Sequence, residues 1–512
     1  MSLLTALLFL VHPVQTQAVT YISQRFASLA AFFALSSVLL YMVGRKAKTR
    51  FIFVLYYLAS LISALMAYKT KENVITIVLA IFLIELLIIR DKAMSRTKKL
   101  LILVPYILLI ATLIPVYTGL EKPLADILDR MVTIKETESI SRLNYLYTKF
   151  RVIVTYFRLL ILPIKQSIEY YYPISQSLFE LRSLLSLLLI MIIMIGAYYY
   201  RHKIPAISFA IFWFFAFLLV ESSVIPIADV IFEHRVYLPS VRFFIAVVSA
   251  AYLVAEKINR TWIIAVLIVP VVFFAIATYS RNEVWKDRLS IWQDCVKKYP
   301  QNARCHTNVG VGYAAEGKCD KAIIALEKTI ELNPRYLYSY PILAHCLIES
   351  GAVEQAIHSL NYAIKSDPGY VSFYYQLGFE YLDSNRLDIA IPLLLGVLQI
   401  NNKDAMINNM LGRAYCQGGN IVQALLYFDQ AIKLESSKGL FYRNKAMCLF
   451  GNQRWKESRT NCIIALQKGS DNADCILIIG RTYEIEGDVV AAQYYYQSYS
   501  DAKNQKTDSA VP

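Results

Sequence analysis

The first 294 residues contain no cysteine, and all eight cysteines lie between Cys295 and Cys475. No two are spaced as a CxxC pair, so neither a zinc ribbon nor a thioredoxin-like centre is encoded. They read either as buried thiols packing like small apolar residues or, where that half faces an oxidising compartment, as disulfide partners whose pairing stays open. The signatures of soluble enzymes are missing as well: there is no Walker loop, GxSxG, HExxH or dinucleotide fingerprint. Carboxylates are scarce early in the chain. In residues 1–280, 27 Lys and Arg face 14 Asp and Glu, so 13 of the net +14 charges arise there. The other half is nearly balanced, with 25 basic and 24 acidic residues. It offers no basic stripe, which argues against a nucleic-acid partner.

What is there instead is apolar. Hydrophobic residues make up 57% of the chain and the mean hydropathy is +0.43. Runs of about 20 apolar residues, the length that crosses a bilayer, recur up to about residue 279 and then cease. Residues 1–280 are therefore expected to form a polytopic membrane domain of about eight full spans plus a partial first helix. The expected spans are 18–43, 51–68, 74–89, 100–118, 184–200, 204–222, 243–255 and 262–279. Met1–Val11 is too short to span and stops at His12-Pro13, so it reads as the second half of a helix whose first half is missing. Residues 119–180 are mixed, and 145–164 is expected to lie at the interface or re-enter, because Arg158 and Pro163 interrupt it. With that choice the short basic loops (Arg45–Arg50, Arg90–Lys99, Arg201–Lys203, Lys257–Arg260) share the cytoplasmic side. Lys71-Glu72, Glu233-His234-Arg235 and the whole C-terminal half share the other.

After a degenerate lead-in helix (281–302), small residues recur every 34 positions: Ala322, Ala356, Ala390, Ala424, Ser458 and Ala492. Gly310, Ala344, Gly378, Gly412, Ala446 and Gly480 recur twelve residues earlier in each unit. Small residues at these two places let paired helices approach closely, which marks six tetratricopeptide repeats over 303–506, with a disordered tail at 507–512. Such arrays stack into an α-solenoid whose concave face holds extended peptide or protein. The fold class is thus all-α throughout.

Ionisable groups at membrane-helix ends are costly and tend to pair or hold a ligand. The densest are in Phe232–Val241 (FEHRVYLPSV), a membrane-surface loop. The Arg235 guanidinium suits a phosphate, although pairing with Glu233 or snorkelling serves equally to explain it. Lys71 and Glu72 offer a cation for phosphate and a carboxylate to orient it, or merely a solvated turn. His234 belongs to the same loop. His12 reads as a proton relay or as a structural hydrogen-bonder, and Arg25 as a ligand or a snorkelling cation. No catalytic residue can be named.

Four stretches together resemble a family. They are HPVQTQAVTYISQRFASLAAFFALSSVLLY, KTKENVITIVLAIFLIE, YFRLLILPIKQSIEYYYP and WFFAFLLVESSVIPIADVIFEHRVYLPSV. With the repeats, they are similar to the transmembrane and tetratricopeptide repeat O-mannosyltransferases and their bacterial relatives. The resemblance implies a GT-C-like fold, here N-terminally truncated, that uses a polyprenyl-phosphate-linked sugar as donor; a divalent metal is left open. Arg235 and Lys71 would meet the lipid phosphate, Glu72 and Glu233 would orient them, and the repeats would hold the acceptor protein. The implied setting is a multi-pass protein of a bacterial inner membrane with its repeats extracytoplasmic. The sequence departs from the family's pattern in two ways: residues 1–120 hold no adjacent acidic pair, and Gln17 stands where a Glu is usual. The alternative from another class is a non-catalytic, membrane-anchored repeat scaffold.

Overall fold

The computed structural model describes residues 2–90, 95–109, 140–222, 227, 229–255, 260–469 and 473–508. It is helical, with no strand among these residues. Two compact units divide it, Met1–Cys305 and His306–Pro512.

The first unit opens on α1 (Ser2–Leu10) and, after a one-turn 3-10 helix at Pro13–Gln15, α2 (Thr16–Thr20). It continues through α3 (Arg25–Gly44), α4 (Arg50–Thr70), α5 (Ile77–Ile84) and α6 (Arg96–Leu101). Then come α7 (Arg142–Ile161), α8 (Leu181–Tyr199), α9 (Pro205–Leu218), α10 (Tyr237–Ala255), α11 (Arg260–Val284) and α12 (Arg288–Lys298). Local chemistry sets the ends. Thr49 caps α4 by accepting from the Ile52 amide at 3.3 Å, Ser141 caps α7 from Asn144 at 3.2 Å, and Pro205 opens α9. At the other end of α7, Pro163 forces Leu162 out of the helical region, where it sits at φ −135°, ψ 94°.

Four described helices are long and apolar enough to cross a membrane: Arg25–Gly44, Arg50–Thr70, Leu181–His202 and Glu233–Val254. At 1.5 Å per residue each is about 30 Å long, the thickness of a hydrocarbon core. The pair Ser2–Leu10 and Pro13–Thr20 is bent by 56° at the His12-Pro13 break. Residues 110–118 of the expected span at 100–118, and the mixed segment up to residue 139, lie outside the described residues. Two expectations change. The run 204–222 yields only the 14-residue α9, because the chain turns at Leu219–Ser222 and delivers Glu221 to buried cations. The stretch 232–241 is not an open surface loop. Glu233–Val236 forms a buried 3-10 turn, and α10 starts directly from it at Tyr237.

In the second unit, each repeat is a pair of helices, A and B. The small-residue rule has a visible cause. A methyl group on Gly310 would lie 2.5 Å from Leu326 Cγ, one on Gly378 2.7 Å from Leu394, and one on Gly412 2.6 Å from Phe428. Helix B rests a large side chain directly on these backbones. The second series is equally buried: Ala322, Ala356, Ala390, Ala424 and Ser458 are at 0% exposure. Ser458 fits there because its hydroxyl donates to the Ala446 carbonyl at 2.8 Å. A third series went unread in the sequence. The A–B turns place Gly317, Gly351, Asn385, Gly419, Gln453 and Gly487 at φ between 57° and 84°. Each is followed by an amide that reaches back to the end of helix A, as Lys318 does to Tyr313 (2.9 Å) and Arg454 to Leu449 (3.0 Å). This is the Schellman ending, repeated through the array.

A buried cation cluster around Glu221

The site is built on the turn between α9 and α10. Glu221, 7% exposed, takes Arg235 Nε at 3.4 Å, the Asn73 amide at 2.9 Å and Lys71 Nζ at 3.9 Å. Lys71 and Asn73 arrive from the end of α4, where the helix stops and a 3-10 turn begins. From α7, Lys149 donates to the Val230 carbonyl at 2.6 Å, and Arg235 Nη1 donates to the same oxygen at 3.2 Å. Tyr145 donates to the Glu221 carbonyl at 3.1 Å, and Tyr156 accepts from the Phe232 amide at 3.2 Å. The Phe232 ring lies 5.4 Å from the guanidinium. Lys149 and Arg235 are at 1% and 6% exposure. Lys71 and Arg235 thus meet at the Glu221 carboxylate, and the buried Lys149 meets Arg235 at the Val230 carbonyl. Asp229, the next nearby acid, is held by Arg304 at 2.9 Å.

Lys71, Asn73, His234 and Arg235 line one small recess, closed on the other side by Ala27, Ala31 and Phe217. Lys71 and Arg235, far apart in the sequence, thus line the same recess. The expected carboxylate partners are different in the structure. Glu233 pairs with neither cation. It accepts from Gln166 (2.8 Å), the Ser167 amide (3.0 Å) and the Tyr170 hydroxyl, pinning the stretch that follows α7. The side chain of Glu72 lies outside the described residues. His234 meets Gln17, whose Oε1 accepts from its amide at 2.8 Å. The residue that departs from the family pattern is thus in contact with the loop. His12 is hydrogen-bonded on both ring nitrogens: Nε2 faces the Leu160 carbonyl at 3.1 Å, and Nδ1 caps the next turn by accepting from Val14 at 3.2 Å. Arg25 is spent on the Val19 carbonyl at 3.2 Å, away from the recess. Sequence reasoning missed Glu221, Asn73 and Lys149. A lone Glu at the end of an apolar run was the only signal available for the first, and a lysine in an amphipathic helix was none for the last.

A second feature lies wholly within the repeats. A groove of about 1080 Å³ is lined by Tyr375, Phe379, Asn409, Met410, Arg413 and Asn444, on the A helices of repeats three to five. Asn444 donates to Asn409 at 3.0 Å, and Arg413 meets Asp383 at 3.0 Å. Among the described residues no three His, Cys, Asp or Glu side chains converge as a metal site.

No protein-family model matches the chain. It is 23% identical over 334 residues to a protein O-mannosyl-transferase of Caenorhabditis elegans, covering 65% of this chain and 46% of that one. A protein O-mannosyl-transferase of Mus musculus is 22% identical over 174 residues, covering 32% of this chain and 18% of its own length. Among solved structures, the C-terminal part of a TPR repeat-containing protein from Cytophaga hutchinsonii superposes with a TM-score of 0.33 at 16% identity. It covers 44% of this chain and 93% of that one. The chain spans less than half the length of the curated relatives named here, and it is similar to proteins named for O-mannosyl transfer.

Proposed function

We propose that the chain is a GT-C-like polytopic membrane glycosyltransferase that binds a polyprenyl-phosphate-linked sugar at the Glu221 cluster. Its repeats, placed outside the cytoplasm, hold the polypeptide acceptor. The observation that carries this reading is a set of buried basic side chains drawn together from three parts of the chain. Lys71 and Arg235 meet at Glu221, and Lys149 and Arg235 meet at the Val230 carbonyl, a grouping of donors that suits an anion. A phosphate monoester supplies that anion, and the planar Arg235 fork and the Lys71 ammonium are the donors it would meet. Distant similarity to proteins named as O-mannosyl-transferases supports the sugar-transfer class.

Transfer to a hydroxyl needs a base. Glu233 is held by three donors, and Glu221 is ion-paired with Arg235 and takes the Asn73 side-chain amide. That observation favours the second reading, a membrane-anchored repeat scaffold that binds the lipid phosphate without transferring its sugar. A photoactivatable polyprenyl-phosphate probe on the full-length protein in membranes tests the site. Arg235→Ala should lower labelling roughly tenfold or more, the loss of one charge-assisted hydrogen bond, with membrane insertion unchanged. Equal labelling of wild type and variant would remove Arg235 from the site.

A further inference from the structure

The eight cysteines are arranged in couples. Cys295 and Cys305 form a disulfide with Cα atoms 5.8 Å apart, and Cys416 and Cys448 one at 5.9 Å; both fall in the usual span of about 4.4–6.8 Å. The other four are thiols, yet they too are neighbours two by two. Cys319, at the start of helix B of repeat one, and Cys346, in helix A of repeat two, pack in one apolar cluster. Cys462, in helix B of repeat five, and Cys475, in helix A of repeat six, are both fully buried in another, six-residue cluster. No cysteine is left over.

We propose that Cys319–Cys346 and Cys462–Cys475 are two further disulfides of the mature protein. Three bridges then join successive repeats: one to two, four to five and five to six. A solenoid is held by nearest-neighbour interfaces and frays from its ends, so covalent links between outer repeats act where the array is weakest. Each link forms one S–S bond from two S–H bonds. Two protons go to solvent, and two electrons go to the disulfide of a dithiol–disulfide oxidoreductase, which leaves as its dithiol. Such chemistry belongs to an oxidising compartment. The inference therefore rests on the extracytoplasmic placement of the repeats, and it holds whether or not sugar is transferred.

The test uses the full-length protein in its native membranes, denatured in detergent with N-ethylmaleimide, then reduced and treated with iodoacetamide, and read by peptide mass spectrometry. All eight cysteines should carry the second label only. In Cys319→Ser the first label should appear on Cys346 alone, and in Cys475→Ser on Cys462 alone. The proposal is overturned by first label on Cys319, Cys346, Cys462 and Cys475 of the wild type with the other four protected, or by a Ser variant that frees a different cysteine. First label on all eight overturns it together with the placement of the repeats. None of these results moves the probe-labelling experiment on Arg235, so the two readings fail separately.

Discussion

Gly412 carries a hydrogen atom where a methyl group would meet the Phe428 ring at 2.6–2.8 Å. Phe428 is fully buried, so the ring has nowhere to retreat. Gly412→Ala should cost about 1–3 kcal/mol, the usual range for overpacking, seen as a lower urea midpoint for the repeat array. Gln453 tells the opposite story. It sits at φ 63° in a turn where four of six equivalents are glycine, a conformation that costs a side chain about 1 kcal/mol. Gln453→Gly should raise array stability by about 0.5–1 kcal/mol, and an unchanged thermal midpoint would show that the turn carries no strain. In the first unit, Glu221→Gln removes the carboxylate that Lys71 and Arg235 share. Breaking a buried ion pair costs about 3–5 kcal/mol, so the variant should melt earlier in detergent, and added polyprenyl phosphate should restore part of the loss. The candidate cations Lys71 and Arg235 were legible in the sequence as charges beside apolar runs. Their shared partner was not, because Glu221 lies 14 residues from Arg235 and far from Lys71, and only the early end of α9 brings it to both.

At the scale of elements, α7 and the stretch after it illustrate how an ambiguous segment is resolved. Its 20 residues carry Arg142, Lys149, Arg151 and Arg158, and it is not among the helices apolar enough to cross a membrane. Yet Tyr145, Val152, Tyr156 and Leu159 are buried, so it packs as an amphipathic element against the unit's core. The chain beyond Pro163 is pinned by Glu233, which collects three donors, and by Lys298, which donates to the Gln166 carbonyl at 2.6 Å. Glu233→Ala should strand those donors at about 1–3 kcal/mol for each one left unsatisfied. Hydrogen exchange should then rise at Ser167 and its neighbours while α3 and α4 stay protected. Periodicity could place a helix at α7, but a pattern of charge and apolar residues does not say which carboxylate on another loop will hold the following segment.

For the molecule as a whole, the membrane placement remains a proposal with a direct check. A periplasmic-type reporter fused after Pro512 should be active and a cytoplasmic one silent; the reverse would overturn the topology that assigns the basic loops to the cytoplasm. The all-α character and the helical repeats were written in the sequence itself. Apolar runs stop near residue 279, and a 34-residue period of small residues follows. Both are local or regularly spaced signals, since a helix pair can bury its face only where each successive unit repeats the same small residues. What the tertiary structure alone decided is the pairing of distant polar groups: Glu221 with Lys71 and Arg235, Gln17 with His234, and Cys416 with Cys448. These contacts depend on where helices end and how they cross. No periodicity encodes that, because burial selects a face of each helix while charge and hydrogen bonding select one partner on it.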